Sequence, residues 1–117
     1  MKYQDTIAAT CRYGDCLGEI LKDADIVWED SLADYQGSVD ILASMPDGTF
    51  VHYEYSYGSC SGCDDWEARS LSDSQIVEEM RRGLAVLTAK PDNVNVEKYV
   101  NNHLSRAKDS FDEWKKK

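Results

Sequence analysis

The sequence lacks the long apolar run that a membrane-spanning helix requires. No uninterrupted apolar stretch in its 117 residues approaches the roughly 20 needed to cross a bilayer. The N-terminal residues Met1–Thr6 are followed only by a short, mixed segment, so the hydrophobic core of a signal peptide is missing as well. These absences predict one soluble domain, residues 1–117, located in the cytoplasm, where thiols stay reduced.

The sequence also lacks the common catalytic motifs. It contains no Gly-x-Ser-x-Gly nucleophile motif, no Walker phosphate loop and no His-Glu-x-x-His zinc motif. Its two histidines, His52 and His103, are isolated, which favours packing roles, although either could replace a cysteine in a mixed zinc site. The sequence therefore favours a protein that is not an enzyme.

Basic residues are scarce in the first two thirds of the chain. Residues 1–79 hold 17 acidic and 4 basic side chains, a net charge of −13, whereas residues 80–117 hold 5 acidic and 9 basic ones, a net +4. An acidic body disfavours direct nucleic-acid binding, because phosphate contacts need Lys and Arg. The total of −9 fits simple solubility and, alternatively, a surface that binds a basic protein partner.

The first 23 residues have the apolar spacing of two short helices. Tyr3, Ile7 and Cys11 recur every four residues and are predicted to share one buried face. Gly14 interrupts this pattern, and Asp15 is placed to cap a second helix that turns its leucines and isoleucine inward.

Three β-strands are predicted next, because β-branched and aromatic residues alternate with polar ones. The strands are Ala24–Asp30, Ser38–Ser44 and Thr49–Tyr57, with a loop at Ser31–Gly37 and a Pro-Asp-Gly turn at Met45–Gly48. Along the last strand, alternate side chains face opposite ways. The predicted core face carries Val51, Tyr53, Tyr55 and Tyr57, and the predicted wet face carries Phe50, His52, Glu54 and Ser56. These segments predict a three-stranded antiparallel sheet.

Two C-terminal helices complete the predicted α+β fold and pack on one face of the sheet. Ser72–Gln75 forms a capping box flanked by a hydrophobic staple of Leu71 and Ile76. The first helix carries an inward stripe of Ile76, Met80, Leu84 and Leu87. The second is predicted to run unbroken for about 20 residues, with a stripe of Val96, Val100, His103, Ala107, Phe111 and Trp114. Its length predicts that part of the stripe contacts another chain, which a second copy could supply as a homo-oligomer.

Four cysteines occur as two close pairs, Cys11/Cys16 and Cys60/Cys63. Tetrahedral zinc takes four nitrogen or sulfur ligands, and Cys-x-x-Cys is a standard half of such a site. The first pair is less suitable, because a spacing of five on an unbroken helix would separate the two thiols. Three interpretations stay open: a structural zinc site, a thiol redox pair at Cys60/Cys63, and plain thiols in a tight turn.

Aromatic and acidic residues around the second cysteine pair form a candidate ligand-binding or interaction site. The candidate residues are Tyr53, Tyr55, Tyr57, Asp64, Asp65 and Trp66. Tyrosines can line a small-molecule pocket, although packing of the sheet against helices is the commoner role. Asp64 and Asp65 disfavour a thiolate at the neighbouring cysteines, which weakens the redox interpretation.

The segment Tyr57-Gly-Ser-Cys-Ser-Gly-Cys-Asp64, which follows an aromatic strand, resembles a motif in uncharacterised small proteins of bacteriophages and bacteria. The similarity covers about residues 35–67. The resemblance implies a phage or mobile-element origin and brings no known activity. The sequence as a whole therefore predicts an accessory protein that binds another macromolecule, such as an inhibitor of a host or defence protein. The alternative is a small-molecule-binding or thiol redox module built on the Cys60/Cys63 loop.

Overall fold

A four-stranded antiparallel sheet with helices on both faces forms the framework of the protein. The computed structural model describes residues 1–11, 13–33, 37–57, 66, 69–88 and 94–116. The strands lie side by side in chain order: β1 (Asp25–Leu32), β2 (Gly37–Ser44), β3 (Thr49–Tyr57) and β4 (Ala85–Thr88). The predicted α+β class is confirmed, with one strand more than expected.

Four α-helices and three 3₁₀ turns surround the sheet in the described residues. The helices are α1 (Gly14–Leu21), α2 (Asp73–Gly83), α3 (Val94–His103) and α4 (Lys108–Lys115). The 3₁₀ turns are Tyr3–Asp5, Ala8–Thr10 and Ser105–Ala107. Within the described ranges, no helix combines the length and the apolar character needed to cross a membrane.

The hairpin of β2 and β3 matches its prediction closely. The β3 bounds are those predicted, and Gly48 adopts a φ of +89° in the turn, a conformation that L side chains rarely adopt. The Asp47 carboxylate accepts a hydrogen bond from the Thr49 backbone N–H at 3.0 Å and fixes the same turn. Strand β1 continues to Leu32, however, so the start of the predicted loop at Ser31–Gly37 is strand. Its pairing with β2 extends the ladder to Leu32 opposite Ser38.

The first core lies between the tyrosine face of β3 and the helices α1 and α2. The prediction for this face is confirmed, since Val51, Tyr53, Tyr55 and Tyr57 are all buried. Leu17, Ile20 and Leu21 of α1 pack into the same core, as predicted. This core contains more buried residues than the second one, and the burial of its apolar surface stabilises the fold.

A second core covers part of the opposite face of the sheet, in contrast to the predicted wet face. Phe50 is 1 % exposed and packs edge-to-face against Phe111 and Trp114 of α4, so its predicted exposure is wrong. Glu54 and Ser56, farther along β3, are exposed as expected. Helices α3 and α4 therefore cover only part of this face, and α2 packs on the other face rather than beside them.

The N-terminal segment departs from its prediction in detail. Tyr3 and Cys11 are buried, but Ile7 is exposed because residues 3–10 form two 3₁₀ turns and not one helical face. Gly14 is the first residue of α1 and does not interrupt a helix. A Cβ on Gly14 would lie 2.6 Å from the Ala8 carbonyl oxygen, so this position requires glycine's small size.

Helix α2 begins as predicted and ends earlier than predicted. The Gln75 backbone N–H donates to Ser72 Oγ at 3.3 Å, and the Ser72 N–H donates to Gln75 Oε1 at 2.8 Å, which completes the capping box. The helix ends at Gly83. Leu84 and Leu87 therefore do not extend its stripe, and Leu87 lies in β4 opposite Phe50 and packs in the second core.

The predicted long C-terminal helix is two helices. Helix α3 ends at His103, a 3₁₀ turn follows at Ser105–Ala107, and α4 begins at Lys108. The backbone of Leu104, at φ −145° and ψ 47°, is not helical. Leu104 takes the buried position that the continuous pattern assigned to His103, which is exposed.

Candidate functional site: an acidic concavity on the sheet

The four cysteines predicted as zinc ligands are only partly within the described residues. Cys11 and Cys16 are buried free thiols, whereas Cys60 and Cys63 lie outside the described ranges. Cys11 Sγ lies 3.6 Å from the Ile7 carbonyl oxygen, and Cys16 Sγ lies 3.9 Å from the Asp73 carbonyl oxygen. Among the described residues, no group of three or more His, Cys, Asp or Glu is arranged to hold a metal ion. The four-cysteine site stays a prediction.

The surroundings of Cys16 oppose thiolate chemistry. Burial raises the pKa of this thiol, and the nearby carboxylates of Asp73, Asp15 and Glu19 raise it further. A thiol that stays protonated is a poor nucleophile and a poor metal ligand. Cys16 therefore acts as a small packing residue between α1 and α2.

The predicted aromatic site is a packed cluster in the first core. The Trp66 ring centroid lies 4.8 Å from that of Tyr13 and 5.3 Å from that of Tyr55, and Tyr57 lies 5.9 Å from Tyr13. Tyr53 lies beside Tyr55 at 5.6 Å. The structure thus brings the four predicted aromatic residues together by packing, while Asp64 and Asp65 lie outside the described residues.

Trp66 is also fixed from the side of α2. Its indole Nε1–H donates to Glu79 at 3.3 Å, and Arg69 donates two hydrogen bonds of 2.7 Å to the same carboxylate. The hydrogen bonds and charge of Arg69 lower the pKa of Glu79 to about 2. This carboxylate therefore stays charged at mildly acidic pH, and its contribution to the stability of the fold is lost as the pH falls from the ordinary carboxyl pKa to about 2.

Tyr53 and Tyr55 of this cluster, and Tyr3 in the same core, are neutral at physiological pH. Burial, followed by the charge of Glu79, raises the pKa of Tyr53 to about 12. Burial raises the pKa of Tyr3 and of Tyr55 as well. A tyrosinate base or nucleophile is therefore strongly disfavoured here.

Replacing Tyr55 with phenylalanine is expected to stabilise the protein. The Tyr55 hydroxyl is buried and has no hydrogen-bond partner within the described part of the chain. An unsatisfied buried hydroxyl is unfavourable, so its removal should raise the free energy of unfolding by about 1 kcal/mol. The control is Tyr3→Phe, because the Tyr3 hydroxyl donates to the Gly14 carbonyl at 2.8 Å. Urea unfolding should show opposite signs for the two variants, and equal losses would contradict the assignment.

The main open feature of the second sheet face is a row of three carboxylates. Asp30 of β1 lies directly opposite Asp40 of β2, which lies directly opposite Glu54 of β3. The row lines an open concavity of about 430 Å³, beyond the edge of the second core. Ser38 and Ser56, paired in the neighbouring register position, add hydroxyl groups to its wall.

Arg106, from the 3₁₀ turn between α3 and α4, reaches across this row. One guanidinium nitrogen donates to Asp40 Oδ2 at 2.9 Å, and the other donates to Asp30. The guanidinium carbon also lies 5.5 Å from the ring centroid of Trp28, in a cation–π arrangement. Two of the three carboxylates are thereby paired, whereas Glu54 is exposed and makes no ion pair with any described residue.

A histidine-centred network adjoins the acidic row. His52 Nε2 lies 2.6 Å from Asp40 Oδ1, and His52 Nδ1 lies 2.7 Å from the hydroxyl of Tyr99 on α3. Because a carboxylate only accepts, Nε2–H donates to Asp40, and in the neutral ring Nδ1 accepts from Tyr99. Burial and the charges of Asp40 and Glu54 raise the pKa of Tyr99, so it serves as a donor. Both ring nitrogens of His52 are thus engaged within the protein.

Comparisons with known proteins do not extend this description. No protein-family model matches the chain, and neither curated proteins nor solved structures yield a match.

Proposed function

We propose that the protein is a non-enzymatic accessory protein that binds a basic protein partner through the acidic concavity. The supporting observation is the register row of Asp30, Asp40 and Glu54, which places three carboxylates side by side on an open surface. Two of them already hold a guanidinium, that of Arg106. The geometry therefore suits an arginine or lysine side chain of a partner at the third, Glu54.

The energetic cost of the row supports a functional role. Like charges directly opposite each other on neighbouring strands destabilise a sheet. Arg106 offsets this repulsion for Asp30 and Asp40 but not for Glu54. Residues that lower the stability of the fold in this way are common at functional sites.

Binding suits this site better than catalysis. A general base needs a nitrogen or oxygen free to contact substrate. Both nitrogens of His52 are occupied by Asp40 and Tyr99, and Tyr99 is a donor with a raised pKa. The network is suited to holding α3 against the sheet beside the concavity.

The charge distribution agrees with a basic protein as the partner and disfavours nucleic acid. Residues 1–79 contribute a net −13, so phosphate groups would be repelled by most of the body. The resemblance of Tyr57–Asp64 to a phage and bacterial motif supports an origin in a phage or mobile element. The proposal is thus a phage-type protein that acts in the cytoplasm of a bacterial host by binding, and thereby inhibiting, a basic host or defence protein.

Replacing Glu54 with glutamine is expected to stabilise the protein and weaken its binding. Removal of one like charge from the row should raise the free energy of unfolding by about 0.5 kcal/mol. The affinity for an octapeptide of alternating arginine and glycine should fall about threefold to tenfold at low salt, because an exposed charge pair is removed. Thermal unfolding and fluorescence anisotropy measure the two effects on the same samples.

The matched control is Asp23→Asn, which removes an equal charge from the exposed turn between α1 and β1. It should bind the peptide like the original protein, since the Asp23 carboxylate lies outside the concavity. Equal reductions in the two variants would show that only net charge matters, and this result would refute a specific site at Glu54.

A further inference from the structure

The break between α3 and α4 is unusual because the sequence contains no helix-breaking residue there. Residues 94–117 contain neither proline nor glycine, the usual causes of a sharp helix break. The apolar spacing continues through the break in helical phase, as in the predicted unbroken helix. Asn101 and Asn102, which have low helix propensity, precede the break and weaken the chain there without ending a helix by themselves.

Tertiary contacts hold the break in place. Leu104 and Ala107, at its two ends, are 4 % and 0 % exposed in the second core. Between them, Arg106 donates to Asp30 and Asp40 on two different strands. Local helix preference and tertiary contacts thus favour different conformations of the same segment, which is the condition for a two-state element.

A straightened segment could not keep α4 on its own sheet. A continuous helix over residues 94–115 would be about 33 Å long at 1.5 Å per residue. Helix α4 would then leave Phe50, against which its Phe111 and Trp114 pack, and Trp114 would no longer donate its hydrogen bond to Asp25. Exposure of these rings makes the straight form unfavourable in an isolated molecule.

We propose that the segment straightens by exchange of α4 between two copies of this chain. Each α4 then packs on Phe50 and Asp25 of the other copy, which rebuilds the same ring packing and hydrogen bond between chains, and each segment 94–115 becomes one helix. Exchange of an identical element needs no new interface. The α4 helix of a second copy therefore fits the sheet face around Phe50 that the chain's own α4 leaves. In this proposal Arg106 stabilises the single chain with its bent segment, because straightening the segment would separate the guanidinium from Asp30 and Asp40.

Removal of the Arg106 guanidinium should therefore favour the exchanged dimer. In Arg106→Ala, the ion pairs with the half-exposed Asp30 and the largely buried Asp40 no longer favour the bent segment, and the dimer dissociation constant should fall about tenfold. Ser105→Ala, a better helix former, should act in the same direction. Ser105→Pro should prevent dimerisation, because proline suits the first position of a short helix and cannot lie inside a continuous one.

Sedimentation velocity over a concentration series measures the dimer constant, and hydrogen exchange reports the state of the break. The exchanged dimer predicts that the amides of residues 105 and 106 become protected as the dimer forms, whereas the Ala107 amide already donates to the Leu104 carbonyl in the single chain. The control Arg82→Ala removes the same charge from α2 and should behave like the original protein. A dimer with unprotected amides at residues 105 and 106, a dimer that persists in Ser105→Pro, or unchanged monomers in both Arg106→Ala and Ser105→Ala would overturn the proposal. If Arg106→Ala does not fold, the dimer dissociation constants of Ser105→Ala and Ser105→Pro test the proposal instead, and equal values in the two variants would overturn it.

Discussion

Replacing Asp40 with alanine is expected to lower the free energy of unfolding by about 3 kcal/mol. Asp40 is 6 % exposed, and its two carboxylate oxygens accept hydrogen bonds from His52 and Arg106. Its removal leaves the largely buried Nε2–H of His52 without an acceptor, which costs more than the net gain of the original hydrogen bond, whereas the exposed Arg106 keeps its pair with Asp30.

Urea unfolding followed by tryptophan fluorescence measures this effect. Asp40→Asn keeps the shape and one acceptor, so it should destabilise the protein less than Asp40→Ala. Asp30→Ala removes the neighbouring carboxylate, which is half exposed, and should cost under about 1 kcal/mol. Similar small effects for Asp40→Ala and Asp30→Ala would mean that the network around His52 does not stabilise the fold.

Replacing Phe50 with alanine should have an effect of at least the same size, about 3–5 kcal/mol. Phe50 is fully buried, and its ring centroid lies 5.8 Å from that of Phe111 and 5.0 Å from that of Trp114. The change would leave a cavity at the centre of the second core and remove two edge-to-face ring contacts. Helix α4 should therefore become unprotected from hydrogen exchange before the rest of the protein does.

Two variants separate this cavity effect from general sensitivity to mutation. Phe50→Leu fills most of the space and should cost less than half as much as alanine. Leu32→Ala truncates an apolar side chain that is 58 % exposed and should change stability little. If Phe50→Ala resembled Leu32→Ala, the second core would not be a packed core.

Local signals in the sequence predict the β2–β3 hairpin and the start of α2 well. The turn at Pro46–Gly48 determines the register of its hairpin, since it makes Met45 and Thr49 neighbours and thereby places Asp40 opposite Glu54. The two-residue period of β3 predicts the buried tyrosine face, and the capping box at Ser72–Gln75 predicts the start of α2.

The remaining features depend on contacts between distant parts of the chain. Asp30 joins the acidic row only through the register of β1, which is shifted by a bulge between Ile26 and Trp28 that no local signal marks. Strand β4 is four residues that continue an apolar pattern after Gly83, so its period could not distinguish strand from helix. The break before α4 coincides with the burial of Leu104 and Ala107 and with hydrogen bonds from Arg106 to β1 and β2, contacts that helical periodicity cannot reveal.

The structure describes one of the two cysteine pairs, and the role of the other pair stays a prediction. Cys11 and Cys16 are buried thiols in separate surroundings, and burial with nearby acids raises the pKa of Cys16 and keeps it protonated. The Cys60/Cys63 loop, which carries the resemblance to phage and bacterial proteins, lies outside the described residues. The candidate binding site therefore lies on the opposite face of the sheet from Cys11 and Cys16.

Chemical-shift mapping by NMR tests the central proposal, binding of a basic partner at the acidic concavity, most directly. The protein would be titrated at low salt with the octapeptide of alternating arginine and glycine. The proposal predicts that amide shifts concentrate at residues 30–32, 38–40 and 54–56, and that they weaken in Glu54→Gln but not in Asp23→Asn. Shifts centred instead on the acidic groove of Asp15, Glu19 and Asp73 between α1 and α2, or no saturable shifts at all, would contradict it.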